Sequence, residues 1–151
     1  MRCRWLRIVK DALMSIDWSQ FQTIAYMSSN VEGNGILVEV VDAEMAKLEG
    51  VIYVWLDKDG NAVRVGTSKQ PIGKRMLAYN PHINKSLAGL NSPTPLWEAE
   101  QWLALVTEGQ LKAVCHQPPI IETVAGPLRP YLDIERHMIF DMKPTLNRSN
   151  R

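Results

Sequence analysis

Tyr53, Arg75 and Glu135 are a phenol, a guanidinium and a carboxylate, groups that the hydrolysis of a phosphodiester could use. That reaction needs an activated water, neutralisation of the charge on a pentacovalent phosphorus, and help for the departing oxygen. A lone carboxylate such as Glu135 can hold one Mg²⁺, which keeps most of its waters and binds the scissile phosphate. Such an ion stabilises charge and acidifies a bound water. Arg75 carries a permanently charged fork that matches phosphate oxygens. Tyr53 could orient or deprotonate the attacking water, although a phenol, with an ordinary pKa of about 10, is a weak base unless cations assist it.

Each of these residues needs an element to hold it. Gly50 to Trp55 and Val63 to Ser68 are short apolar runs rich in Val, Ile, Tyr and Trp, and Asp57-Lys58-Asp59-Gly60-Asn61 separates them with residues that tolerate positive φ. The pattern predicts a β-hairpin with Tyr53 on its first strand. Pro71 suits a first helical turn, so a short helix is expected from Pro71 to Tyr79, ended by Asn80 and Pro81 and carrying Arg75. Tyr79 lies one turn from Arg75 on the same helix face, where it could pack on the hairpin or contact phosphate. A loop then runs to Pro95, with His82 in it, and Thr94 is a candidate cap for a helix from Pro95 to Thr107 stopped by Gly109. Leu111 to Cys115 reads as a third strand, and the stretch between Pro118 and Pro127 as irregular. Tyr131 to Met142 reads as a helix that buries Ile134, Met138 and Ile139, presents Glu135 and ends before Pro144. Asp133 and His137, two positions to either side of Glu135, should point away from it.

The first third reads as a preface without obvious chemistry. Arg4 to Met27 spaces Trp5, Ile8, Leu13, Ile16, Trp18, Phe21, Ile24 and Ala25 like helices, with Asp17 as a cap. Ile36 to Val41 is a strand candidate, and Asp42 could cap a short helix from Ala43 to Leu48. The fold expected is therefore α/β (α+β): a small, mainly antiparallel three-stranded sheet flanked by helices over residues 50–151, preceded by an N-terminal helical extension over residues 1–49.

Composition sets wider bounds. The 151 residues are 46% hydrophobic, enough for one substantial core, and the net charge of +1 gives no global field for nucleic acid. The charge is uneven, however. Lys58, Arg64, Lys69, Lys74, Arg75 and Lys85 crowd one stretch against Asp57 and Asp59, while Glu98, Glu100, Glu108 and Glu122 follow against Lys112. This is how a phosphate-binding face on a neutral protein would look, or simply a solvated surface. Cys3 and Cys115 are too few for a metal knuckle, and no histidine has metal-ligand spacing. His116 reads as structural, Trp97 as core and Trp102 as amphipathic surface. No membrane span or signal segment is evident, so a soluble, cytoplasmic protein is expected.

In this order the residues resemble the GIY-YIG nuclease family over about residues 50–147. The first triplet falls on Val51-Ile52-Tyr53 and the second on Arg64-Val65-Gly66; Arg75 and Tyr79, then Glu135, and finally Pro144-Thr145-Leu146-Asn147 match the family's later motifs. The resemblance implies catalytic roles for Tyr53, Arg75 and Glu135, with Glu135 binding Mg²⁺ or Mn²⁺. It implies supporting roles for Gly66, Tyr79 and Asn147, the asparagine holding the site together through hydrogen bonds. Arg64, Lys69, Lys74 and His82 become candidates for nucleic-acid contact. The expected function is a metal-dependent DNA endonuclease, with RNA not excluded and a homodimer or protein partner possible for targeting. The sequence departs from the family at Arg64, which stands where a second tyrosine is usual, at Thr67, and at Val51 beside Gly50. A catalytically impaired nucleic-acid-binding module and a protein-interaction domain are the alternative readings.

Overall fold

The computed structural model describes residues 16–147. The helix expected from Arg4 onward and the tail beyond Asn147 lie largely outside those residues. The strands are β1 (Gln22–Ser29), β2 (Ile36–Val40), β3 (Val51–Leu56), β4 (Ala62–Ser68), β5 (Leu111–His116), β6 (Ile121–Thr123) and β7 (Gly126–Leu128), and the helices are α1 (Ile72–Leu87), α2 (Leu96–Glu108) and α3 (Tyr131–Met142). The main sheet has five strands rather than three, in the order β2-β1-β5-β3-β4, and each neighbouring pair is antiparallel. β6 and β7 form a separate two-stranded hairpin in the stretch expected to be irregular.

The two additional strands correct the reading of the first third. Residues before Gly50 supply β1 and β2 to the same sheet as the hairpin. Asp17 does cap, accepting from Ser19 N at 3.1 Å, but only a single 3₁₀ turn over Trp18–Gln20. β1 then begins where a helix was expected. The register with β5 slips between Thr23 and Ala25, and this bulge lets the consecutive Ile24 and Ala25 both be buried. The slip removes the two-residue alternation that marks a strand and leaves a spacing that imitates a helix. Asp42 accepts from Met45 N at 3.0 Å, but the short helix expected from Ala43 to Leu48 is only a 3₁₀ turn over Met45–Lys47 with Glu44 at its N-cap.

Helices cover both faces of the sheet. Val51, Tyr53 and Trp55 of β3 pack with Ile72, Met76 and Ile83 of α1 and Ala99, Trp102 and Val106 of α2. Ile52 and Val54, the alternate residues of the same strand, pack with Val65, Tyr131 and Met138 beneath α3. β3 is thus buried on both sides, which explains its uninterrupted apolar run.

α1 is longer than its sequence suggests. Pro81 sits inside it and cannot donate to the Leu77 carbonyl, yet the helix continues to Leu87. Both Pro81 and Leu77 are exposed, so the interrupted bond faces water. The opposite side of the helix is fastened to the sheet. Asn80 accepts from Val38 N at 2.8 Å and donates to Val38 O at 3.3 Å; Asn84 does the same with Ile36 at 2.8 and 2.9 Å. His82 therefore lies on α1, not in a loop after it. α2 starts after Pro95 without a side-chain cap, so Thr94 does not fill that role.

Candidate active site

The hairpin turn follows its residue types: Asp57 Oδ1 accepts from Asp59 N and Asn61 N, each at 2.9 Å, and Gly60 takes a φ of +83°. The resulting register sets Tyr53 opposite Gly66 and Trp55 opposite Arg64. The Tyr53 ring lies directly over Gly66, where a Cβ would overlap the ring carbon Cζ and the hydroxyl oxygen. Gly66 is required by the tyrosine across from it.

The Tyr53 hydroxyl is 2.9 Å from that of Tyr79 and accepts from Arg75 Nε at 3.3 Å. Arg75, Ala78, Tyr79 and His82, at spacings of three and four residues, form the face of α1 that lines a cleft of about 400 Å³. Tyr79 also packs edge-on against Tyr53, Trp55 and Trp102, with centroids 5.5–6.3 Å apart, so its ring joins the aromatic floor of the cleft. Burial pushes the Tyr79 phenol well above its ordinary pKa and Tyr53 adds to that, while Arg64 and Arg75 oppose it. The neighbouring Tyr53, against the cost of burial, holds Arg75 above its ordinary value.

β4 is an edge strand, and this is what lets the two faces of the sheet share one site. Tyr53, Arg64, Arg75 and Tyr79 reach the cleft from the α1 and α2 side, and Glu135 and Ile139 reach it from α3. Burial raises the pKa of the Glu135 carboxyl; a hydrogen bond with Thr67 and the charges of Arg64 and Arg75 pull it part of the way back. Asp133 and His137 are exposed and do not line the cleft.

The chain after α3 closes the edge. Lys143 adopts a left-handed conformation, φ +45°, that ends the helix and turns the chain back. Leu146 N donates to Val63 O at 2.8 Å, and the Asn147 amide accepts from Val65 N and donates to Val65 O, both at 2.8 Å. Asn147 thereby replaces the strand that β4 lacks.

Arg64 lines the cleft with its Nη1 already engaged, donating to Glu98 Oε1 and to Leu146 O, each at 2.9 Å. Burial works against its charge, but Tyr79, Tyr53 and Glu98 together raise its pKa above the ordinary value. Lys69 and Lys74 are exposed and lie outside the cleft lining, whereas His82 is within it. Glu98 is the cleft residue that sequence reasoning passed over, because a carboxylate in the first turn of a helix is ordinary. The signal that could have found it is the arginine on β4, which needs a counter-charge if its surroundings are buried.

The donor set suits a particular kind of ion. Among the described residues no group of three or more His, Cys, Asp or Glu is arranged to hold a metal. Glu135 offers a single carboxylate beside open cleft volume, which fits a hard cation that keeps its waters and shares a substrate phosphate.

No protein-family model and no curated protein matches the chain. Among solved structures, a mutant of bacteriophage T4 EndoII is similar at a TM-score of 0.59 and 16% identity, covering 84% of this chain and 91% of that one. The restriction endonuclease HPY188I in complex with product DNA aligns at a TM-score of 0.48 and 17% identity, covering 89% of this chain and 78% of that one. The chain therefore shares its fold with the EndoII structure over most of the length of both.

Proposed function

We propose that this protein is an endonuclease that hydrolyses phosphodiester bonds in DNA with the help of one Mg²⁺ or Mn²⁺ ion. One observation carries the reading: Tyr53, Arg75, Tyr79 and Glu135, drawn from a strand and two helices on opposite faces of the sheet, line the same cleft. In this reading the Arg75 guanidinium, steadied by its bond to Tyr53, pairs with the non-bridging oxygens of the scissile phosphate. Tyr53 Oη, fixed between Arg75 and Tyr79, orients the attacking water. Glu135 holds the divalent ion, which when bound supplies charge neutralisation at the phosphate and the leaving oxygen. Gly66 and Asn147 keep the tyrosine and the β4 edge in place.

Cleavage of supercoiled plasmid, linear duplex and RNA, across Mg²⁺, Mn²⁺ and Ca²⁺, is the direct test. The expected result is Mg²⁺- or Mn²⁺-dependent nicking of DNA that is lost in Glu135→Ala and in Arg75→Ala while both variants retain the wild-type circular dichroism spectrum. Undiminished cutting by either variant overturns the assignment. The engagement of Arg64 by Glu98, at the position where a second tyrosine is usual, favours a second reading: a module that binds nucleic acid without cutting it. Salt-sensitive DNA binding with no nicking under any metal would support that reading.

A further inference from the structure

The roles above leave one buried charged group unused. Glu98, in the first turn of α2, lines the cleft with a side chain only 4% exposed, and its partner Arg64 is 22% exposed. A carboxylate so enclosed is costly unless it is paired and hydrogen-bonded, and removing one partner leaves the other charge uncompensated. Three segments meet at this pair. Arg64 belongs to β4, Glu98 to α2, and Arg64 Nη1 also holds the Leu146 carbonyl. The residue after Arg64, Val65, has both backbone groups taken by Asn147. Arg64 is therefore fixed at its side chain by two acceptors and at its backbone by the closing segment.

The location matters more than the pairing. Arg64 stands two residues from Gly66 on the same strand, and Gly66 is the floor under the Tyr53 ring. Arg64 and Arg75 thus bring two positive charges to the Tyr53–Tyr79 pair, one from β4 and one from α1. A pair whose role was only to fasten α2 to the sheet would do as well with apolar side chains of similar size.

We infer that Glu98 is a positioning residue for the reaction: it holds the Arg64 guanidinium at a fixed place beside the Tyr53–Tyr79 pair, where Arg64 meets the substrate phosphate. The inference rests on the phosphodiesterase reading, and its test separates the two. Steady-state cleavage of a duplex oligonucleotide in Mn²⁺ would be compared for wild type, Glu98→Gln, Glu98→Ala, Arg64→Ala and the two double variants. Glu98→Gln keeps the shape and an acceptor oxygen but not the charge, and should lower kcat roughly tenfold. Glu98→Ala frees the guanidinium and should lower kcat about 100-fold, the scale of a misplaced reacting group, with KM changed by less than about threefold. In the Arg64→Ala background both Glu98 substitutions should have almost no further effect on kcat, because the group they position is gone.

A folded Glu98 variant with wild-type kcat overturns the inference. So does a loss of the same factor in both backgrounds, which would mean that Glu98 acts independently of Arg64. If Glu98→Ala does not fold, Glu98→Gln and its double variant decide the matter alone. A wild-type protein that cuts no nucleic acid in any metal refutes the parent reading before any variant is made.

Discussion

Tyr53 and Gly66 explain each other. A phenol buried in the centre of a sheet has room for its ring only because the residue across the ladder has no side chain. Alanine at position 66 would push its Cβ into the ring, and the ring can yield only by leaving its bonds to Tyr79 and Arg75. Gly66→Ala should therefore cost about 1–3 kcal/mol in urea denaturation, the usual range for overpacking, and should reduce cleavage more than that loss of folded protein accounts for. Glu135 gives a prediction of opposite sign for stability. Its pKa is raised in the folded protein, chiefly by burial, so the fold binds that proton more tightly than the unfolded chain does. The corresponding stabilisation is complete below the ordinary carboxylate range and disappears as pH rises through the folded pKa. At neutral pH the ionised carboxylate is then an encumbrance to the fold, and a neutral isostere is not. Glu135→Gln should melt no lower than wild type at about pH 7.5, and the two melting temperatures should converge as the pH falls toward about 4. Melts across that range check it, and a clearly lower Tm for the variant at pH 7.5 would contradict it.

At the scale of elements, both edges of the sheet are closed by asparagine side chains. Asn80 and Asn84, one turn apart on α1, pair with Val38 and Ile36 on β2, and Asn147 pairs with Val65 on β4. An open edge invites pairing with another chain. The double variant Asn80→Ala/Asn84→Ala should lose about 1–3 kcal/mol and should show a mass that rises with concentration in light scattering more steeply than wild type. Unchanged association would mean that the bulk of α1 protects β2 without the amides. These contacts also show what could be read in advance. Tyr131–Met142, the two hairpin strands and β5 were legible because their apolar periods are clean and their turn residues local. β1 was not, because its bulge buries two adjacent residues. Asn80-Pro81 reads locally as a helix stop, yet the asparagine is a long-range clamp and the proline faces water. The same distinction holds in the cleft. Tyr53, Arg75, Tyr79 and Glu135 could be singled out by their order and spacing, which resemble a known family's motifs, whereas Glu98 matters only through a partner 34 positions away.

At the scale of the whole molecule, a net charge of +1 gives long-range attraction little to work with, so under the proposed function affinity for DNA must come from a few local cations. Arg64 reaches the substrate phosphate with its charge already balanced by Glu98, so it adds little to the counterion release that salt dependence reports, and α2 turns Glu100 and Glu108 to solvent. What remains near the start of α1 is Arg75 in the cleft with Lys69 and Lys74 exposed close by in sequence. Three phosphate contacts correspond to a slope of about −3 in log Kobs against log[salt], shallow for a DNA-binding protein. The measurement is best made with Glu135→Gln, so that binding is read without cutting, on duplex DNA titrated by fluorescence anisotropy at several salt concentrations. Lys69→Ala and Lys74→Ala should each make the slope shallower by about 1 while weakening binding to unrelated sequences equally. A slope of about −6 or steeper would require cations beyond these three, and would show that the interface extends past the mouth of the Tyr53 cleft.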